Sequence, residues 1–430
     1  ALGVSEAEAT DRMLRGLSEF RVRGVETNLA FLTSLISNSR FANGDYNTRF
    51  VDESPELLEL RPDRSHGAQL LEFIGNVIVN GNAQVAGRKR PKLLRKPTAP
   101  PIELKAPANG VRQILDAEGP EAVAKYMLDS KLPLITDTTF RDAHQSLMAT
   151  RMRTIDMLGI APHYAQLPNL MQQMLLRASN GVGYKNYPDN VVRFFVQQSA
   201  AAGVDVFRIF DCLNWTENMR AAIDAVCETG KIAEAAICYT GDILDPKREK
   251  YNLRYYVELA KELEAAGAHV LGIKDMAGLL KPAAARVLIR ELRQEIGLPI
   301  HLHTHDTSGA AAATVLAAVD EGVDAFDAAM DSMSGLTSQP CLGSIVAALK
   351  NGESDPGIDL SSVRLISDYW EQVREQYAAF EPDIRSGASE VYLHEMPGGQ
   401  FTNLKEQAAS LGLAERWHEV ARAYADVNMA

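Results

Sequence analysis

Residues 269–306 read HVLGIKDMAGLLKPAAARVLIRELRQEIGLPIHLHTHD, and this stretch decides the fold. It opens with a short apolar run, HVLGIKD at 269–275, and closes with another, PIHLHTHD at 299–306. Between them, PAAARVLIRELRQEIG at 282–297 has the apolar spacing of an amphipathic helix. A strand, a helix and a second strand in this order predict two parallel strands joined by a right-handed crossover.

The same alternation extends in both directions along the chain and predicts five further strands. They are LPLITD (132–137), QMLLR (173–177), VDVFRIFD (204–211), AEAAICYTG (233–241) and AFDAAM (325–330). The repeat length and the total span favour an α/β fold, a (β/α)8 TIM-type barrel, over an open doubly wound sheet. Seven strands are one fewer than closure requires, so either one strand is missing or one segment has been misread.

The composition is that of a globular protein with an acidic balance. Forty-four Lys and Arg residues against 56 Asp and Glu residues give the 430-residue chain a formal net charge of −12. This charge argues against nucleic acid as a partner, because nucleic-acid binding needs a basic surface. No apolar run reaches the roughly 18 residues of a membrane-spanning helix, so we expect no membrane partner. Four scattered cysteines and the lack of a targeting segment predict a cytoplasmic location.

Polar residues gather at the predicted carboxyl ends of the strands, where the active site of a parallel barrel lies. His303 and His305 are two residues apart on one strand, so both side chains face the same way and suit a shared divalent cation. Asp142, after the first strand, adds a carboxylate, and a mixed nitrogen and oxygen site suits Zn²⁺ or Mn²⁺. The alternative is that the histidines are satisfied core residues without a metal.

Lys274 ends an apolar strand and therefore faces a barrel mouth, where an uncompensated ammonium is unfavourable. Three outcomes are open: a lowered pKa, reaction with carbon dioxide to give an anionic carbamate that binds a metal, or an ion pair with Asp275 or Asp211. Arg177 ends the second strand, and its guanidinium suits a small carboxylate substrate. An ion pair with a neighbouring acid is the alternative for Arg177.

Long motifs around these residues resemble the carboxyltransferase domain of the pyruvate carboxylase family. They are TDTTFRDAHQSLMATRMRT (136–154), QMLLRASNGVGYKNYPDN (173–190), FRIFDCLNW (207–215), GIKDMAGLLKP (272–282), HLHTHDTSG (301–309) and YLHEMPGGQFTNLKEQ (392–407). The upstream LSEFRVRGVETN (17–28) resembles the end of a biotin carboxylase domain, which related decarboxylase and transcarboxylase subunits do not carry on the same chain.

The resemblance implies roles for the strand-end residues. It places metal ligands at Asp142, Lys274 as a carbamate, His303 and His305. It places catalytic roles at Lys274, Gln145 and Arg141. It places substrate binding at Arg177, Gln145 and Tyr184.

The implied activity is carboxyl transfer from carboxybiotin to pyruvate, which yields oxaloacetate, as one half-reaction of a biotin-dependent ligase. The implied partners are pyruvate or oxaloacetate and a biotinyl carrier domain. The full-length family also uses ATP and acetyl-CoA and assembles as a homotetramer. The family's proton-shuttling threonine, its carrier and most of its biotin carboxylase domain have no match here, so we expect this chain alone not to turn over fully.

The resemblance also sets domain boundaries and locates the missing strand. The family has a strand and a helix between the regions that match Gln166 and Met171, a unit of roughly 35–40 residues. The predicted domains are a biotin carboxylase remnant (1–60), a linker that forms part of the allosteric region (61–110), the carboxyltransferase barrel (111–360) and its C-terminal helical extension (361–430).

Two other functions are open. A metal-dependent lyase of the hydroxymethylglutaryl-CoA lyase type also uses an aspartate and an H-x-H pair. Such a lyase needs neither a carbamylated lysine nor the biotin carboxylase tail. A non-catalytic assembly fragment is the other alternative, and it would not need to bind pyruvate.

Overall fold

A computed structural model describes residues 2–20, 22, 25–58, 66–82, 85–88, 96–103, 110–165 and 171–429. The chain divides into two compact units, Ala1–Gly87 and Arg88–Ala430. Gln166, beside which the resemblance predicts the missing unit, lies outside the described residues. The domain boundaries at residues 60, 110 and 360 stay predictions.

The first unit is helical. Its first helix, α1 (Glu6–Glu19), begins where the Ser5 hydroxyl accepts a hydrogen bond from the backbone N–H of Glu8. The elements that follow are α2 (Leu29–Ser37), α3 (Ser39–Ala42), a 3-10 turn (Pro55–Leu58) and α4 (His66–Asn80). All candidate site residues lie in the second unit.

The second unit is built on a parallel sheet, and its strands are those that the sequence predicts. They are β1 (Leu134–Asp137), β2 (Gln173–Leu176), β3 (Val206–Phe210), β4 (Ile232–Cys238), β5 (Val270–Asp275), β6 (Ile300–Thr304) and β7 (Ala325–Ala328). In the described part of the chain they form one sheet in the order β1-β7-β6-β5-β4-β3-β2. Each pair is parallel, as strand–helix alternation requires.

Helices alternate with the strands and cover the sheet. In α13 (Pro282–Glu295) a proline begins the helix, and Ala285, Leu288, Ile289 and Leu292 form its buried stripe. None of the helices in the described ranges is both long enough and apolar enough to cross a membrane. The other helices of this unit are α5 (Val111–Glu118), α6 (Pro120–Asp129), α7 (His144–Met148), α8 (Thr154–Leu158), α9 (Ala161–Tyr164), α10 (Asp189–Ala201), α11 (Thr216–Glu228), α12 (Leu253–Ala265), α14 (Ala311–Asp320), α15 (Leu342–Leu349), α16 (Leu360–Gln376), α17 (Val391–His394), α18 (Gly398–Ser410) and α19 (Trp417–Met429).

The sheet is a barrel that stays open between β1 and β2. These strands are its two edges and are only half-buried for most of their length, whereas every residue of β3 to β6 is buried. Leu134 at the start of β1 and Met171 just before β2 nevertheless pack against one apolar cluster under α5 and α6. The sheet therefore curls as a (β/α)8 barrel does. Within the described residues it has seven strands, one fewer than a closed barrel, as the sequence predicts.

The predicted C-terminal helical extension is confirmed as well, and it docks on the end of β1. Trp370 on α16 is fully buried, and its indole N–H donates to the hydroxyl of Tyr164 at 3.1 Å. That hydroxyl in turn donates to Asp137 Oδ2 at 2.7 Å. This chain of contacts fixes the segment after β1, which carries Asp142.

Candidate metal centre

Three predicted metal ligands come from neighbouring elements at the carboxyl end of the sheet. His303 lies on β6 and His305 just beyond it, while Asp142 lies in a π-helical turn, Thr139–Ala143, after β1. β7 separates β1 from β6, so these elements are close neighbours. Lys274 on β5 is in register with His303, which directs both side chains to one face of the sheet.

Asp142, His303 and His305 form a compact buried cluster, called here the triad. Asp142 Oδ2 lies 3.1 Å from His303 Nε2 and 3.6 Å from His305 Nε2. The two Nε2 atoms lie 3.2 Å apart. Two imidazole nitrogens and a carboxylate oxygen that converge in this way are donors that a divalent cation such as Zn²⁺ uses.

The second nitrogen of each imidazole determines which nitrogen faces the centre of the triad. His303 Nδ1 lies 2.6 Å from Asp327 Oδ2, and His305 Nδ1 lies 2.7 Å from the carbonyl oxygen of Thr337. Because both oxygens are acceptors, each Nδ1 carries a proton and donates it. In the neutral rings, both Nε2 atoms then direct lone pairs at each other with no proton between them. A bound cation relieves this arrangement.

Burial and local charges keep Asp142 and His305 in protonation states that bind a metal. Burial lowers the pKa of His305 to about 4, although Asp142 opposes the shift. Burial alone raises the pKa of Asp142, but the Arg141 guanidinium, 2.5 Å away, and the two imidazoles hold this pKa well below its usual range. At neutral pH, Asp142 is therefore a carboxylate and His305 is neutral, as metal binding requires.

Two residues outside the predicted set pack directly on the triad. Gln339 is fully buried, and its side-chain amide donates to Asp142 Oδ2 at 3.0 Å. Gly398 lies so close that a Cβ there would stand 2.9 Å from His305 Nδ1 and 2.7 Å from the Thr337 carbonyl oxygen. Only glycine is accommodated at position 398 without displacing His305.

Lys274 is buried beside the triad, with its Nζ 5.2 Å from the centre of the Phe210 ring. Among the residues that the structure describes, no carboxylate forms an ion pair with it. The two predicted alternative partners are engaged elsewhere: Asp275 accepts from two backbone N–H groups, and Asp211 accepts from backbone N–H groups and an asparagine amide. Burial lowers the pKa of Lys274 to about 8, although Asp142 opposes the shift.

The predicted substrate-binding residues Arg177 and Tyr184 follow β2, at the opposite end of the strand order. Arg177 Cζ lies 4.7 Å from the centre of the Tyr184 ring, and Tyr184 is 91% exposed. Gln145 lies half-buried on α7. Within the described ranges, neither Arg177 nor Gln145 makes a hydrogen bond or ion pair with the triad, and Arg177 has no acidic partner. The catalytic and substrate-binding roles of these residues, and of Arg141, stay predictions.

Sequence reasoning missed Asp327, which links His303 to His301. Asp327 on β7 is fully buried and accepts from His303, and His301 contacts Asp327 rather than the triad, with His301 Nε2 2.7 Å from Asp327 Oδ1. The sequence did contain a signal for Asp327, because an aspartate within the apolar strand AFDAAM is tolerated only when it has a hydrogen-bond or ion-pair partner.

Three family models match the chain. A model described as HMGL-like matches residues 196–369, and one described as the conserved carboxylase domain matches residues 391–430. A third, described as the biotin carboxylase C-terminal domain, matches residues 1–53. The first match contains β3 to β7, and hence both histidines of the triad.

Two similar proteins match nearly the whole chain. The pyruvate carboxylase of Bacillus subtilis (strain 168) is 48% identical over 98% of this chain, and the mitochondrial pyruvate carboxylase of Homo sapiens is 44% identical over 100% of it. The chain spans 40% of the length of each relative. The human match extends over 468 residues, 38 more than the 430 of this chain, which agrees with a missing strand–helix unit.

A solved structure matches most of the chain at a higher identity. It is the carboxyl transferase domain from Rhizobium etli pyruvate carboxylase with oxamate and biotin, which is 56% identical and superposes with a TM-score of 0.80. The match covers 84% of this chain and 67% of that chain. This chain therefore belongs to the pyruvate carboxylase family.

Proposed function

We propose that this chain performs the carboxyl transfer half-reaction of a biotin-dependent pyruvate carboxylase, in which the carboxyl group of carboxybiotin passes to pyruvate and gives oxaloacetate. The observation that carries the proposal is the triad of Asp142, His303 and His305. Its three electron-pair donors converge at the carboxyl ends of the strands in a chain of this family.

The proposed metal is Zn²⁺ or Mn²⁺, held by the triad and by Lys274 as a carbamate. The donor set supports this choice, because both ions accept mixed nitrogen and oxygen ligands. When bound, such a metal polarises a substrate carbonyl oxygen as a Lewis acid. The residues of the chain hold the site open for it: Asp327 and Thr337 orient the imidazoles, and Arg141 keeps Asp142 ionised.

Carbamylation of Lys274 is supported by its burial and its lowered pKa. The unprotonated amine attacks carbon dioxide, one N–C bond forms, and one proton leaves the nitrogen to solvent. The product is an anion, which replaces an ammonium that would repel a neighbouring cation. Intact mass measurement should find the added mass of one carbon dioxide, and Lys274→Met should remove it. An unmodified lysine in a metal-loaded chain would contradict this part of the proposal.

In the proposed substrate site, the Arg177 guanidinium binds the carboxylate of pyruvate. Arg177 supports this role because it lacks an acidic partner in the described part of the chain and its flat face is covered by the Tyr184 ring. Gln145 and Arg141 complete the proposed pocket for pyruvate and biotin. The matched structure that holds oxamate and biotin supports binding of both ligand types by such a domain.

The remaining features of the family are proposals for the whole protein. They are the biotinyl carrier domain as a partner, ATP and acetyl-CoA for the complete reaction, the homotetramer, and the cytoplasmic location. The domain boundaries at 60, 110 and 360 are proposed on the same basis. The match of residues 1–53 to a biotin carboxylase model supports a boundary near residue 60.

A lyase of the hydroxymethylglutaryl-CoA type is the second candidate, because the HMGL-like model matches residues 196–369. The matches at 1–53 and 391–430 favour the carboxylase, since both describe carboxylase domains. Cleavage of hydroxymethylglutaryl-CoA by the metal-loaded chain would reverse this preference. An assembly fragment without pyruvate binding is the third candidate, and biotin-dependent pyruvate release by the chain would exclude it.

The test is the reverse half-reaction, with the purified metal-loaded chain, oxaloacetate and free biotin. We expect slow pyruvate release, because the family's proton-shuttling threonine has no match in this chain. This release should depend on both biotin and metal and be lost in Arg177→Ala and His303→Ala. Arg385→Ala is the matched control, because its side chain is 90% exposed and contacts no triad residue within the described ranges. Pyruvate release that persists unchanged in His303→Ala, or after metal is removed, would contradict the proposal.

A further inference from the structure

Below the triad, four charged side chains form a buried layer inside the barrel, called here the charged layer. Its members are Arg208 on β3, Glu234 on β4, His301 on β6 and Asp327 on β7, and all four are buried. Arg208 forms ion pairs with both Glu234 and Asp327, and His301 Nδ1 lies 3.1 Å from Glu234 Oε2. Two basic side chains thus face two carboxylates in a buried site.

Asp327 is the member of the charged layer that reaches the triad. Its Oδ2 accepts from Arg208 Nη1 at 2.5 Å and from His303 Nδ1 at 2.6 Å. Its Oδ1 accepts from His301 Nε2 at 2.7 Å and from Arg208 Nη2 at 3.3 Å. Both oxygens are therefore committed, and the carboxylate cannot rotate without losing charge-assisted hydrogen bonds.

This geometry determines the orientation of His303. The ring can direct Nε2 at Asp142 and His305 only while Nδ1 donates to Asp327, and the bidentate guanidinium of Arg208 holds that acceptor still. The charged layer joins four strands, so the position of the metal ligand is coupled to the packing of the barrel interior rather than to a loop.

We propose that Asp327 is a positioning residue that sets metal affinity through His303, and that Arg208 and His301 act by holding Asp327. The inference rests on the proposed function only in taking the triad as the metal site. An asparagine at 327 keeps the size of the side chain but turns one oxygen into a donor, which would face a donor on His303, His301 or Arg208. The imidazole of His303 then loses its fixed tautomer and orientation.

The experiment compares Asp327→Asn with Asp324→Asn in the full chain. Asp324 is also buried and also accepts from an arginine. Its other carboxylate oxygen accepts from the backbone N–H of Ile300, and in the described part of the chain Asp324 touches no triad residue. Zn²⁺ is titrated into each metal-free protein against a competing chelator, and thermal unfolding is recorded in parallel. We expect about 10- to 100-fold weaker zinc binding in Asp327→Asn and unchanged zinc affinity in Asp324→Asn.

A spectroscopic readout separates positioning from general destabilisation. Co²⁺ bound in place of zinc should show altered d–d absorption bands in Asp327→Asn and wild-type bands in Asp324→Asn. Should Asp327→Asn fail to fold, His301→Gln replaces it, with a smaller loss of zinc affinity expected. Unchanged zinc affinity and cobalt bands in a folded variant, with only a lowered melting temperature, would overturn the inference. A wild-type chain that binds no Zn²⁺ would overturn the proposed metal site itself.

Discussion

The two ends of the strand order carry different halves of the candidate site. The metal half comes from four consecutive neighbours, β1, β7, β6 and β5, whose ligands and supporting groups bond to one another. Arg177 and Tyr184, called here the substrate half, follow β2, which is the other edge strand. Arg141 and Gln145, which are also proposed for the substrate pocket, follow β1 instead. The opening left by the missing unit separates β1 from β2 and leaves the two halves in different surroundings.

The two halves differ in how far they depend on a closed barrel. The triad is buried and braced by β7, so its geometry is complete without the missing strand. Tyr184, in contrast, is almost fully exposed, and β2 lacks a partner on its outer side in the described sheet. We therefore expect metal binding to be intact and substrate binding to be the weaker property.

The contribution of buried side chains to stability should also differ between the centre of the sheet and its open edge. Leu271 on β5 is fully buried in the main core, and Leu271→Ala should lower the free energy of unfolding by about 2–5 kcal/mol. Leu175 on the edge strand β2 is half-buried, so Leu175→Ala should lower the free energy of unfolding by less than Leu271→Ala does. Urea denaturation of both variants measures the difference. Equal losses would show that the open edge is as tightly packed as the centre.

Removing one metal ligand should weaken metal binding without disturbing the substrate half. His303→Ala should weaken zinc binding roughly 100-fold, because one ligand of four carries about 3 kcal/mol of a typical zinc affinity. His269→Ala is the matched control, since this buried histidine lies at the opposite end of the barrel, just before β5, and contacts the backbone of Ala233. Competitive zinc titration measures the zinc affinity of both variants. Similar losses of affinity in His303→Ala and His269→Ala would contradict the assignment of His303 as a metal ligand.

Removing the Arg177 guanidinium should have the reverse effect, because it should weaken pyruvate binding and leave metal binding intact. Arg177→Ala should weaken pyruvate binding by about 10- to 100-fold, the loss expected for a charge-assisted hydrogen bond, while zinc affinity stays unchanged. Calorimetric titration of pyruvate into the zinc-loaded chain measures the first value. A change in zinc affinity on Arg177→Ala would show that the two halves are coupled.

The smallest effect is expected at Tyr184. Its ring lies against the guanidinium of Arg177 in an exposed position, where a cation–π contact contributes about 0.5–1 kcal/mol. Tyr184→Ala should therefore weaken pyruvate binding only a few-fold, and Tyr184→Phe, which keeps the ring, should bind as the wild type does. A large loss in Tyr184→Phe would assign a direct role to the hydroxyl instead.

Sequence reasoning predicted the elements better than the contacts between them. The seven strands, the missing unit and the shared face of His303 and His305 follow from short-range periodicity, which a single sequence displays. Asp327 and Gln339 escaped prediction because their partners lie on other strands and only the folded sheet brings them together. The ion-pair alternative for Lys274 could not be judged from the sequence for the same reason, since its neighbours depend on strand register. Its carbamylation stays a proposal.

Metal analysis of the purified chain tests the central claim most directly. After dialysis against metal-free buffer, the wild-type protein should retain about one equivalent of zinc or manganese per chain, and His303→Ala should retain almost none. A folded wild-type chain without bound metal, or a His303→Ala variant that keeps the same amount, would contradict the assignment of the triad as a metal centre.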